Sequence, residues 1–237
     1  MQWRWVCAIA EASIVLLLCA ATTAQKPDSA DVIRLVDAAV AARVDNVLGF
    51  ADVEHYSVYR GNDEAHPVAE MTVKDTYKKG VGKTYTVLSQ SGSSLALRVG
   101  LKPLLENETK INLPDQVAKS WFTSANYEMK LDSSRAQKLN GRDCFALAIE
   151  PRQKAPNMID GTLWIDAHDG SIVQIEGVAS KSPSVFAGTT HMMRRYVSID
   201  GFPMATHARA ESDSPLFGRT VVIIDYSDYK LEIKTRK

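Results

Sequence analysis

The sequence is poor in cysteine, carries no net charge and lacks a long apolar run, and each absence limits what the protein can do. It has 3 cysteines, 28 basic residues and 28 acidic residues. Without a basic excess, nothing in the sequence indicates nucleic-acid binding. Cys7 and Cys19 lie near the N-terminus, so a chain that loses this segment keeps only Cys144 and cannot form an intramolecular disulfide. No apolar run reaches the roughly 20 residues of a membrane-spanning helix.

The first 24 residues are typical of a cleavable signal peptide. A basic residue precedes the apolar run at 12–21, and small residues stand just before Gln25, the expected mature start. A lipid-modified cysteine normally follows a small residue, whereas three leucines precede Cys19, so we expect no lipid anchor there. These features predict an exported, periplasmic protein whose mature part, residues 25–237, is a single domain.

The mature chain predicts one helix followed by many short strands. Apolar residues recur at helical spacing from Asp28 to about Asp45, and the spacing then changes to the two-residue period of strands. Two short helices are predicted at 101–107 and 114–122, after a strand at 94–99. Hairpin turns are indicated by Asn140-Gly141, Asp169-Gly170 and Asp200-Gly201.

About eleven strands with short connections cannot lie in one flat sheet. The sequence therefore predicts a mainly β protein with few helices, of the α+β class. We expect a strongly curved antiparallel sheet that forms an open half-barrel, with helices covering its concave face.

Catalytic motifs are absent or weak, so we expect no enzyme, no cofactor and no metal. Residues 80–84 read Gly-Val-Gly-Lys-Thr, but Tyr77 stands where a phosphate-binding loop needs glycine, and a strand follows instead of a helix. There is no Gly-x-Ser-x-Gly elbow, and the five histidines form no His-Glu-x-x-His pattern. One alternative stays open: an exported hydrolase that uses Cys144, predicted to lie in a buried strand, or an unrecognised Ser-His pair.

Two adjacent arginines, Arg194 and Arg195, have two interpretations. They attract anionic head groups, or they mark a charged strand edge that discourages aggregation. We favour the strand edge.

The apolar side chains inside the predicted half-barrel either fill it or leave a cavity, and the sequence does not decide between these. If a cavity exists, strand alternation assigns ten residues to a hydrophobic ligand site. They are Trp121, Phe145, Leu147, Trp164, Val173, Ile175, Met192, Tyr196, Val222 and Ile224.

The order of these elements resembles that of periplasmic lipoprotein carriers of the LolA and LolB type. The local matches are residues 161–166, Gly-Thr-Leu-Trp-Ile-Asp, then 170–176, Gly-Ser-Ile-Val-Gln-Ile-Glu, and 85–92, Tyr-Thr-Val-Leu-Ser-Gln-Ser-Gly. The resemblance implies an open β half-barrel with a helical lid, and a cavity that receives lipid acyl chains or a lipoprotein. It also implies a carrier role in outer-membrane lipoprotein sorting. In such carriers an arginine inside the barrel holds the lid, but residues 76–80 here contain lysine and no arginine.

A second interpretation within the same resemblance is an envelope-stress regulator like RseB, which binds a membrane partner. We expect a monomer in either case.

Overall fold

The computed structural model describes residues 27–135, 137–155, 157–181, 188–214 and 218–235. The predicted signal peptide and Cys19 lie outside these ranges. Within them, no helix combines the length and apolar character needed to cross a membrane.

Helix α1, Ser29–Asn46, opens the described chain. Asp28 caps it, because its carboxylate accepts a hydrogen bond from the backbone N–H of Ala30. Val32 and Val36 are one turn apart, and both are buried against the sheet. The sequence prediction of a helix from Asp28 to about residue 45 is confirmed.

The described residues form eleven strands in a single antiparallel sheet. The strands are β1 (Val47–Arg60), β2 (Ala69–Lys78), β3 (Gly82–Gly92), β4 (Tyr127–Leu131), β5 (Gln137–Leu139), β6 (Arg142–Pro151), β7 (Ile159–Asp166), β8 (Ile172–Ala179), β9 (Thr190–Ile199), β10 (Phe202–Ser214) and β11 (Gly218–Ile233). Their order is β3-β2-β1-β11-β10-β9-β8-β7-β6-β4, and β5 pairs with another part of β6. Because β3 and β4 do not pair with each other, the sheet is open, and the predicted mainly β, open antiparallel fold is confirmed.

The chain between β3 and β4 is helical. It consists of α2 (Ser94–Ala96), a π-helical turn (Leu97–Leu101), α3 (Lys102–Ile111) and a 3-10 turn (Val117–Ser120). We call residues 94–120 the lid.

The strand predicted at 94–99 is wrong, because this segment begins the lid. The hydroxyl of Ser93 caps the helix by accepting a hydrogen bond from the backbone N–H of Ala96. Leu97, Leu101 and Leu105 then recur every four residues, on one helical face, and all three are buried against the sheet. The six residues 94–99 alone do not distinguish a strand from a helix. The leucine spacing that continues past residue 99 is helical and indicates the observed conformation.

One face of the sheet carries both α1 and the lid. A row of directly paired residues crosses nine strands on this inner face, and we call it the central rung. Its members, from β4 to β2, are Leu131, Leu147, Leu163, Ile175, Arg194, Ala208, Ile224, Tyr56 and Met71. Leu147, Leu163 and Ile175 share a core with α1, whereas Tyr56 and Met71 share one with the lid. The two helical segments therefore cover different halves of the same face.

Candidate functional site

Two neighbouring cavities lie between the lid and the inner face of the sheet, with volumes of 510 Å³ and 380 Å³. Both are lined by Glu108 and Ile111 of the lid and by Arg194 and Tyr196 of β9. The larger one also reaches Arg43 of α1. Small-molecule sites commonly measure about 300–1,000 Å³, so each cavity has room for a ligand. The interior is therefore not packed solid, a question that the sequence had left open.

The wall of the smaller cavity is mostly apolar, although the charged residues Glu108, Arg194 and Arg209 also line it. Its apolar lining includes Phe122, Ile159, Ile175, Met192, Val222 and Ile224. They come from the segment after the lid and from strands β7, β8, β9 and β11, so no contiguous stretch of sequence encodes this surface. Hydrocarbon that enters it leaves water, which is the favourable direction of the hydrophobic effect.

The larger cavity has a charged wall built around Lys83 of β3. The Nζ atom of Lys83 lies 2.8 Å from Glu54 of β1 and 2.6 Å from Glu108 of the lid, and it also contacts Asp75 of β2. The Lys83 side chain is only 10% exposed, and those of Glu54 and Asp75 are 2% and 1% exposed. This ammonium group therefore ties the lid to the inner face of β1, β2 and β3.

The carboxyl groups near Lys83 have raised pKa values. Burial is the main cause for Glu54 and Asp75, and the nearby Lys83 opposes it. For Asp52, burial and the neighbouring Glu54 raise the pKa to about 7. Burial also disfavours the charge on Lys83, but Glu108, Glu54 and Asp75 outweigh it and raise the pKa of Lys83 well above its usual value.

Three of these carboxylates form a set of oxygen donors that a hard cation would use. Oxygens of Asp52, Glu54 and Asp75 lie within 4.8 Å of one another. The ammonium of Lys83 already supplies positive charge to Glu54 and Asp75. We therefore assign no metal to this cluster.

Two arginines reach the cavities from different elements. Arg43 of α1 donates a hydrogen bond to the carbonyl oxygen of Pro203 at 3.2 Å, and its other nitrogen lies 3.6 Å from the Sδ of Met204. Tyr226, Tyr196 and Glu108 favour the charge on Arg194 of β9, and they raise its pKa well above the usual value although burial opposes this. The strand-edge interpretation of Arg194 is wrong, because β9 is flanked by β8 and β10 and is not an edge of the sheet.

The ten residues predicted for a hydrophobic ligand site lie in three places. Those that line the cavities are Trp121, Ile175, Met192, Tyr196, Val222 and Ile224. Phe145 and Leu147 belong to the core under α1. Trp164 and Val173 pack on the opposite face of the sheet, with Cys144 and Ala146.

A β-bulge explains why strand alternation misplaced Val173. Trp164 pairs with Gln174 and Ile165 pairs with Ile172, so Val173 is the extra residue and the alternation shifts there. On the same outer face, the guanidinium of Arg135 stacks 5.1 Å from the ring centroid of Trp164. We therefore leave Trp164 and Val173 out of the proposed site.

Sequence reasoning missed the charged residues of the site. Lys83 belongs to residues 80–84, whose sequence resembles part of a phosphate-binding loop, and the strand predicted to follow is β3. The sequence does contain a signal for the carboxylates of the charged wall. Asp52 and Glu54 alternate with Val53 in β1 and share a face with the buried Tyr56. Carboxylates on the buried face of a strand are rare unless they are paired.

Comparisons with known proteins give structural matches only. No protein-family model matches the chain, and no curated protein matches it. A LolA superfamily protein from Nitrosomonas europaea is 13% identical, with a TM-score of 0.46 over 87% of this chain and 94% of that one. An outer membrane lipoprotein-sorting protein domain from Vibrio parahaemolyticus is 13% identical, with a TM-score of 0.49 over 86% and 94%. A DUF1329 family protein from Desulfovibrio piger is 16% identical, with a TM-score of 0.43 over 86% and 95%.

The first two of these proteins carry names from the lipoprotein-sorting group that the sequence resembles. At these identities and TM-scores the likeness assigns no function to this chain. We base the function proposed below on the cavities of this chain.

Proposed function

We propose that this chain is a periplasmic, non-enzymatic binding protein for lipid acyl chains, free or attached to a lipoprotein. In this proposal, residues 1–24 are a signal peptide and residues 25–237 act as a monomeric carrier in outer-membrane lipoprotein sorting. The observation that carries it is the 380 Å³ cavity with hydrocarbon walls between the lid and the sheet. Each methylene moved from water into such a cavity contributes about 0.8 kcal/mol, so a long chain binds without specific polar contacts.

The lid supplies a means of entry and release. It is held to the sheet through apolar contacts of Leu101 and Leu105 and through the ion pair between Lys83 and Glu108. In this proposal Lys83 has the role that an arginine has in the related carriers. An acyl chain that enters under the lid competes with these contacts, so binding and lid opening are coupled.

Uptake of a fluorescent fatty acid by the purified protein tests this function, with a cavity-filling variant and a matched control. Met192→Trp places a larger side chain in the smaller cavity, whereas Val197→Trp adds the same ring to an exposed position on the same strand. We expect Met192→Trp to lower the affinity about tenfold or more and Val197→Trp to leave it unchanged. Equal affinity for both variants and the wild type would count against binding in this cavity.

Mass spectrometry of lipids extracted from the protein, purified from its native envelope, identifies the cargo. We expect acyl species that disappear in Met192→Trp. Recovery of none from the wild type, together with no uptake of the fluorescent fatty acid, would refute the proposal.

A further inference from the structure

Arg194 interrupts an otherwise uncharged row of side chains. Its neighbours on the central rung are Ile175 on β8 and Ala208 on β10, and the row continues to Ile224 on β11. Residues directly opposite in an antiparallel sheet project from the same face, so Arg194 shares the inner face with these apolar side chains. Of the nine members of the rung, Arg194 alone carries a charge.

A guanidinium at such a position is costly unless its charge is compensated. Tyr226 and Tyr196 favour the charge on Arg194, and the pKa of this guanidinium is raised well above its usual value although burial opposes it. Glu108 also acts on it electrostatically, but the Glu108 carboxylate is engaged by Lys83 at 2.6 Å. Arg194 forms no ion pair with a carboxylate in the described part of the chain. Its hydrogen-bonding capacity exceeds what two phenols accept, since a guanidinium carries five N–H donors.

The position of Arg194 connects this charge with the cavities. Arg194 and Tyr196 line both of them, whereas Tyr226 lines only the larger one. The residue opposite Arg194 on β10 is Ala208, whose small side chain leaves space beside the guanidinium. The hydrocarbon walls of the smaller cavity begin next to it, at Ile175 and Met192.

We propose that Arg194 binds the oxyanion of an amphiphile, a carboxylate or a phosphate, whose hydrocarbon chain occupies the smaller cavity. This inference rests on the proposed function and narrows its ligand class from acyl chains in general to single-chain anionic amphiphiles. The planar guanidinium matches the two oxygens of a carboxylate or phosphate in a bidentate contact. The hydroxyl of Tyr196, on the same strand and lining both cavities, stands beside the oxyanion as a further hydrogen-bond donor.

Three ligands with the same twelve-carbon chain test this inference: dodecanoic acid, dodecyl phosphate and dodecanol. Their affinities are measured at pH 8 by displacement of a neutral fluorescent probe. The variant is Arg194→Gln, and the matched control is Arg195→Gln, which removes the same charge from an exposed site one residue along β9. We expect the wild type and Arg195→Gln to bind at least one of the two anionic ligands about 10- to 100-fold more tightly than dodecanol. Arg194→Gln should lose this preference and keep the affinity for dodecanol.

The outcomes separate this inference from the proposed function. If the wild type binds dodecanol as tightly as both anions, the inference fails and the acyl-binding function stands. If the wild type binds none of the three, both fail. Inorganic phosphate serves as a probe without a hydrocarbon chain. If inorganic phosphate displaces dodecyl phosphate at concentrations similar to that of dodecyl phosphate itself, the site binds a free anion, and the proposal of an amphiphilic ligand is refuted.

Stability without ligand gives an independent test of a purely structural role. Arg194 forms no ion pair with a carboxylate in the described part of the chain, so its replacement should change the thermal midpoint little. We therefore expect Arg194→Gln to melt close to the wild-type temperature, with Arg195→Gln equal to the wild type. A fall of several degrees in Arg194→Gln, together with equal loss of affinity for all three ligands, would show that Arg194 supports the fold and would overturn the inference.

Discussion

Replacement of Lys83 by methionine removes the positive charge that three acidic groups share. Met keeps most of the length and the apolar stem of Lys, so the change isolates the charge. Glu54 and Asp75 are then left buried without their cation, with side chains 2% and 1% exposed. Removal of one partner from a buried ion pair costs about 3–5 kcal/mol, because the remaining charge is uncompensated. The lid also loses its ionic contact through Glu108.

The size of this loss depends on pH in a defined direction. Glu54 and Asp75 have folded pKa values above their unfolded ones, so these two groups bind more protons in the folded chain, and their contribution to the free energy of unfolding falls as the pH rises above about 4. Without Lys83 these pKa values rise further. More of these carboxyl groups are therefore protonated at pH 5 than at pH 8 in Lys83→Met, and we expect the cost to be smaller at pH 5.

Urea unfolding of wild type, Lys83→Met and Lys74→Met at pH 5 and pH 8 measures both effects. Lys74 lies on the same strand as Asp75 but is exposed, so its replacement controls for the loss of a lysine. Amide hydrogen exchange in α3 should accelerate in Lys83→Met alone. Equal stability of the two variants at pH 8, or a cost that does not change with pH, would refute the assignment of Lys83 as the buried counterion.

Three further experiments test the buried carboxyl group of Asp52, the close packing of strands at Gly177 and the reactivity of the Cys144 thiol. The pKa of Asp52, about 7, lies above its unfolded value, so the contribution of this group to wild-type stability falls from about pH 4 to pH 7. Relative to the wild type, the free energy of unfolding of Asp52→Asn, measured with urea, should rise by about 2–3 kcal/mol between pH 5 and pH 8. The free energy of unfolding of Asp200→Asn, at an exposed position, should change with pH as that of the wild type does. A Cβ at Gly177 would lie 2.2 Å from a backbone oxygen, so Gly177→Ala should lower the thermal midpoint sharply, while Gly100→Ala, with nothing within 4 Å, should not. Burial raises the pKa of the Cys144 thiol, so a thiol reagent should label it only after unfolding; rapid labelling of the folded protein would favour the hydrolase alternative.

Local pattern was sufficient for most of the fold. The α1 helix followed from apolar spacing and a cap at Asp28, and the hairpin positions Asn140-Gly141 and Asp200-Gly201 do adopt positive φ angles. The prediction was wrong at 94–99, where a short segment fits both the helical and the strand spacing of apolar residues. It was also wrong at Val173, where a β-bulge shifts the alternation of side chains. Both failures have the same cause, since a window of a few residues does not contain the contacts that choose between conformations.

The candidate site was only partly predictable. Six of the ten predicted residues line the cavities, and five of them lie on strands, where alternation identifies the inner face. Lys83, Glu108 and Arg194 carry the charge of the site, and none was assigned to it from sequence. The contact of Lys83 with Glu108 joins residues 25 apart along the chain, so no local window of sequence contains it.

The sequence by itself determined that this is a mainly β protein with an N-terminal helix and a helical insertion, because periodicity and turn chemistry are local properties. Only the tertiary structure decided that the interior is hollow and that a lysine joins three strands to the lid. It also decided that one arginine faces hydrocarbon from the middle of the sheet. Those features depend on which strands become neighbours and in which register, and the free energy of such long-range pairing belongs to the whole fold and not to any segment of it.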